Sequence, residues 1–69
     1  MIREGSQVKW KWGQGTATGK VVKTYSEKTE KVIDGEKITR NGESGNKALL
    51  IEQEDGQQVL KLESEVDRA

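Results

Sequence analysis

The chain has no cysteine, no histidine, no proline and no phenylalanine. Each gap excludes something. Without cysteine no disulfide can staple the fold, and no thiol nucleophile exists. Without cysteine and histidine, zinc sites built from those ligands are ruled out, as is any catalytic triad with a histidine base. Long apolar runs are also missing, so no segment approaches membrane length. The opening MIREGSQ lacks the apolar stretch of a secretory signal. The expected location is the cytoplasm, with no membrane partner, and the lack of cysteine fits a reducing compartment.

What is present is mostly charge and β-branched residues. The 69 residues are 35% charged and 30% hydrophobic, with a net charge of +0. Such a length makes one domain, spanning residues 1–69 with its core in 7–66. It buries only about 60% of the surface its unfolded chain exposes, so the core is thin. Low apolar content leads to disorder chiefly when net charge is high. Here the charges balance and the apolar residues fall in alternating runs, which favours a folded domain. The balance hides an asymmetry: residues 1–40 hold nine Lys/Arg and five Asp/Glu (+4), and residues 41–69 hold three and seven (−4). Pairing of the two halves inside one domain is the favoured explanation. A basic face for a polyanion is the alternative, although nucleic-acid domains usually carry a clear net positive charge.

The periodicity is that of strands and turns. In QVKWKW, Val8, Trp10 and Trp12 share one face and Gln7, Lys9 and Lys11 the other. TATGKVVKTYS follows as a second strand. Gly19 within it marks a bulge or a close backbone approach, and adjacent Val21 and Val22 mark a sharp bend. Gly13 and Gly15 read as turn residues needing positive φ. Asp34-Gly35 reads as the two-residue turn of an exposed hairpin carrying Val32, Ile33 and Ile38. Residues 41–46, NGESGN, read as a flexible loop in which Gly42 tolerates a side chain. In the last hairpin, an Asp55-Gly56 turn would set Ile51 opposite Leu60 and Leu49 opposite Leu62, gathering all four on one face. Ser64 and Asp67 have capping-box spacing for one helical turn. The expected fold is all-β: a small barrel or half-open barrel of about five short strands with a helical turn near the C-terminus.

The stretch GTATGK has the flavour of a phosphate loop but not its spacing. Gly15 and Gly19 are separated by three residues where four are needed, Val21 replaces the Ser or Thr, and no long helix follows. Of the aromatics, Trp10 in mid-strand is the expected core anchor. Trp12 and Tyr25 are the candidate ligand-binding residues, as an exposed rim. Lys9, Lys11, Lys20 and Lys23 are possible polyanion contacts, with solubility and edge protection as their ordinary role. Glu52 and Glu54 are the nearest thing to acid–base groups, but a chain this small leaves little room for a deep cleft. An enzyme is not expected, and neither is a cofactor or a metal.

Together, VKWKWGQGTATGKV, ITRNG and LLIEQEDGQQVLKLESEV resemble the small bacterial and fungal domains called the hypervirulence-associated protein Tudor domain. The resemblance covers residues 7–66. It implies a Tudor-like, Src-homology-3-like barrel without a settled activity. Tudor domains proper often use an aromatic cage for methylated Lys or Arg. With three aromatics here, at least one of them in the core, methyl-ligand binding is not carried over. The resulting expectation is a monomeric interaction module that binds a protein or peptide through Trp12 and Tyr25. The alternatives are a nucleic-acid binder using the basic first hairpin, or an accessory subunit of a larger complex.

Overall fold

The computed structural model describes residues 2–33 and 35–69. Seven strands form in chain order: β1 (Gln7–Trp12), β2 (Gly15–Tyr25), β3 (Lys28–Ile33), β4 (Glu36–Asn41), β5 (Ala48–Glu52), β6 (Gln58–Leu62) and β7 (Asp67–Arg68). A single 3₁₀ turn, Glu63–Glu65, precedes β7. Five strands make one antiparallel sheet in the order β6-β5-β2-β1-β7, and β3 and β4 make a separate two-stranded ribbon.

The sheet has to curl. Only four residues, 63–66, join the end of β6 to the start of β7. With a 3₁₀ turn among them they span about 13 Å. Four inter-strand steps across a flat sheet would need about 19 Å. The two outer strands are therefore drawn toward each other around the core, in keeping with the small all-β domain expected from the sequence, although seven strands in two sheets replace the expected five or so.

Alternation places Val8 and Trp10 of β1 inward, opposite Gly19 and Ala17 of β2. Val21, Leu49, Ile51, Ile2 and Val66 complete that core, with Val59 packed against it. Both readings of β2 hold. At Gly19 an added Cβ would lie 2.5 Å from Ile51 Cγ2, so the strands approach too closely there for a side chain. At Val22 the register slips, from Val21 opposite Ile51 to Lys23 opposite Leu50, which is the bulge that bends the strand. The β1–β2 turn uses Gly13 at φ 55°, but Gly15 already belongs to β2 and is not among the glycines with positive φ. Across the ribbon, Ile33 pairs with Glu36. Asp34 of the expected Asp-Gly turn lies outside the described residues, while Gly35 has φ 78°.

Three expectations are corrected. The last hairpin pairs Ile51 with Val59, Leu50 with Leu60 and Ala48 with Leu62, one residue away from the expected register. Its loop has three residues, not two. Gly56 N–H donates to the Gln53 carbonyl at 2.9 Å, Gln53 N–H to the Gln57 carbonyl at 2.8 Å, and Gly56 takes φ 88°. This is a type I turn closed by a left-handed glycine. The expected register assumed one apolar and one wet face, but both faces of this hairpin are covered. Leu49 and Ile51 face the main core, while Ala48 and Leu60, at 0% and 1% exposed, face the other way, where β3 and β4 lie against β6.

Residues 41–46 are not a flexible loop. Asn41 belongs to β4, and Glu43 and Asn46 exchange backbone hydrogen bonds at 2.9 and 3.0 Å. Gly42 is buried, and a Cβ there would stand 2.5 Å from the Tyr25 carbonyl oxygen. The capping box is also different. Ser64 exchanges hydrogen bonds with the Asn46 side chain at 2.9 and 3.2 Å, and Asp67 enters β7. Glu65 instead accepts from the Leu62 N–H at 2.8 Å and from Arg40 Nε at 3.0 Å.

Candidate interaction site

Trp12 ends β1 at the tip of the first hairpin, opposite Gly15, and is 66% exposed. It shares the inward parity of Val8 and Trp10 but projects past the end of the core. Gly13 supplies the tight turn that holds it there, and Gly15 opposite offers no side chain to cover it. Directly behind the tip, Lys9, Trp10, Lys11, Thr16 and Asp67 line a shallow groove of about 280 Å³.

Tyr25 stands at the far end of β2, opposite Ala48, so the structure does not bring the two candidate aromatics together. Its ring already carries a cation: Lys31 Nζ lies 5.2 Å from the ring centroid. A joint Trp12–Tyr25 surface is thus absent. Strand parity alone could not separate them, because their distance depends on how sharply β2 bends between its two ends.

Lys9, Lys11 and Lys20 do share the outer face of the β1–β2 pair, but acids flank them on both sides. Lys9 pairs across to Asp67 of β7, and Lys20 to Glu52 of β5. Lys23, beyond the bulge, pairs with Leu50. Strands of the acidic half therefore flank the two adjacent strands of the basic half in one sheet, as the favoured reading of the charge asymmetry expected. Asp67 was invisible as a groove residue in the sequence, since only the long-range β1–β7 pairing brings it to Lys9. Thr16 lies opposite Lys11, a placement the sequence reading missed because it put Gly15 in the turn.

A curled all-β sheet, a 3₁₀ turn before the last strand and an aromatic-tipped first hairpin define a small Tudor-like domain. The family model described as Hypervirulence associated proteins TUDOR domain matches residues 5–66, and the chain belongs to that family. Neither the curated proteins nor the solved structures give a match. Among the described residues, no helix is long and apolar enough to cross a membrane.

Proposed function

We propose that the domain is a binding module, without catalytic activity, that engages a protein or peptide partner through the β1–β2 hairpin. The observation that carries this reading is Trp12, two-thirds exposed in a domain whose other tryptophan is in the core. Tryptophan at a projecting tip is a typical anchor of protein interfaces, because it contributes a large contact area for little conformational entropy. The groove behind it adds the Lys9 and Lys11 ammoniums, the Thr16 hydroxyl and the Asp67 carboxylate as polar rim. Tyr25 drops out of the site on geometry. A nucleic-acid role for the hairpin is disfavoured by the carboxylates facing Lys9 and Lys20.

The test is capture of partners from the native cell extract by the wild-type domain and by Trp12→Ala, with captured protein and nucleic acid both identified. The expected result is a protein held by the wild type, lost by the variant and indifferent to nuclease. Nuclease-sensitive capture that survives Trp12→Ala would overturn the reading.

A further inference from the structure

A second surface lies at the opposite end of β1 from Trp12. Residues 3–6 form a turn fastened to β2. Gly5 N–H donates to the Val21 carbonyl at 2.8 Å, Val21 N–H to the Ser6 carbonyl at 2.9 Å, and Ser6 N–H to the Arg3 carbonyl at 3.0 Å. Arg3 N–H donates to the Ser6 hydroxyl oxygen at 3.1 Å. On the other side of β1, Arg68 is held in β7 opposite Val8, and Ala69 N–H donates to the Gln7 carbonyl at 3.0 Å. Between these two fixed pieces of backbone opens a cavity of about 500 Å³ lined by Arg3, Glu4, Gly5, Ser6 and Arg68.

Neither arginine has an ion-pair partner among the described residues. The ion pairs among the described residues are Lys37–Glu30 and Arg40–Glu65. Two arginines from hydrogen-bonded segments far apart in the sequence thus line one polar cavity, with Glu4 as the acid in its lining. The Ser6 oxygen is occupied as an acceptor, so its hydroxyl proton remains available to donate.

We propose that this cavity binds a phosphate group carrying two charges, held by Arg3 and Arg68 with a third hydrogen bond from the Ser6 hydroxyl. A guanidinium fork fits two oxygens of a tetrahedral anion at once. A carboxylate has only two oxygens and would satisfy one fork, leaving the other idle. A doubly charged anion also balances two arginines, and Glu4 opposes any weaker one. The site is independent of the Trp12 tip and stands or falls separately from it.

The experiment is an NMR titration of the ¹⁵N-labelled domain with inorganic phosphate and, in a second arm, with O-phosphoserine. Sodium chloride at matched ionic strength is the control. The expected result is a saturable shift confined to the amides of residues 3–6 and 68 in at least one arm. Tighter binding of phosphoserine identifies an esterified phosphate as the ligand, and tighter binding of inorganic phosphate identifies the free anion; both support the site. Arg3→Gln and Arg68→Gln should each weaken binding tenfold or more, and Glu4→Gln should tighten it several-fold. All three positions are exposed, and a well-dispersed spectrum checks that each variant folds. Shifts that never saturate, that spread over Lys9, Lys11, Lys20 and Lys23, or that survive both arginine substitutions would overturn the proposal.

Discussion

Trp10 keeps 6% of its surface exposed and Trp12 66%, although only Lys11 stands between them. Trp10 sits in mid-strand opposite Ala17, whose small side chain leaves room for the indole. Trp10→Ala should therefore cost about 3–5 kcal/mol, the range for deleting a buried large aromatic. Trp12→Ala should cost much less, and chemical denaturation of the two variants checks the ranking. Gly42 is another position where one atom decides the outcome. A Cβ would meet the carbonyl oxygens of Tyr25 and Glu27 at 2.5 and 2.8 Å, and backbone cannot swing aside as a flexible side chain can. Gly42→Ala should destabilise by roughly 1–3 kcal/mol, the usual range for overpacking. A midpoint unchanged from wild type in urea would show that the segment yields more easily than its contacts indicate.

The β5–β6 hairpin shows what element-level reasoning reaches and where it stops. Alternation correctly oriented β1 and the first half of β2, because each has one face in the core and one in water. The pair of valines located the bulge, and Gly19 the close approach. The same logic misplaced the last hairpin by one residue, because a criterion that sorts apolar from polar has no force where both faces are buried. Gly56 survives the correction. Its φ of 88° is needed by the three-residue loop as much as by a two-residue one. Gly56→Val should cost about 1–3 kcal/mol for holding a β-branched residue in the left-handed region, measured as a lower unfolding midpoint. Gly42 and β7 were illegible for one reason: both depend on contacts distant in sequence. Gly42 N–H donates to the Glu27 carbonyl at 3.2 Å, and β7 finds β1 at the other end of the chain. For the candidate site, Trp12 was legible because a strand end beside Gly13 must project. Its separation from Tyr25 was not, because the sequence showed the strand but not whether its bend at Val22 would bring the two ends together.

Across the whole molecule, Arg40 and Glu65 tie the β3–β4 ribbon to the turn before the last strand. Burial alone would raise the Glu65 carboxyl. Hydrogen bonds from Leu62 N–H and Arg40, with the charges of Arg40 and Lys61, outweigh it and hold the group below its ordinary value. A carboxyl lowered in the folded state stabilises the fold above the unfolded value of about 4.3. That contribution is lost as the pH falls through the lowered folded value. Glu65→Gln should thus cost under about 1 kcal/mol at neutral pH, since the pair is partly exposed, and should flatten the acid side of a plot of urea midpoint against pH. The acid-flanked outer face makes a second whole-molecule prediction. Labelled oligonucleotides should bind more weakly than about 10⁻⁶ M at physiological salt, as fluorescence anisotropy would show. Tighter binding abolished by charge reversal at Lys9 and Lys11 would make nucleic acid the leading partner.

The last strand has a consequence in time. β7 contributes only two residues to the sheet, and its partner β1 lies at the opposite end of the sequence. Hairpins of neighbouring strands close in about 1–10 μs, whereas this seam must wait until nearly the whole chain has been gathered. It should also be the first to open. Amides of residues 67–69 should exchange with solvent through small local openings, while those of Leu49 and Ile51, fully buried in the core, should exchange only when the entire domain unfolds. Each such opening carries Arg68 away from Arg3, so the cavity between them exists for only the fraction of time that the seam is shut.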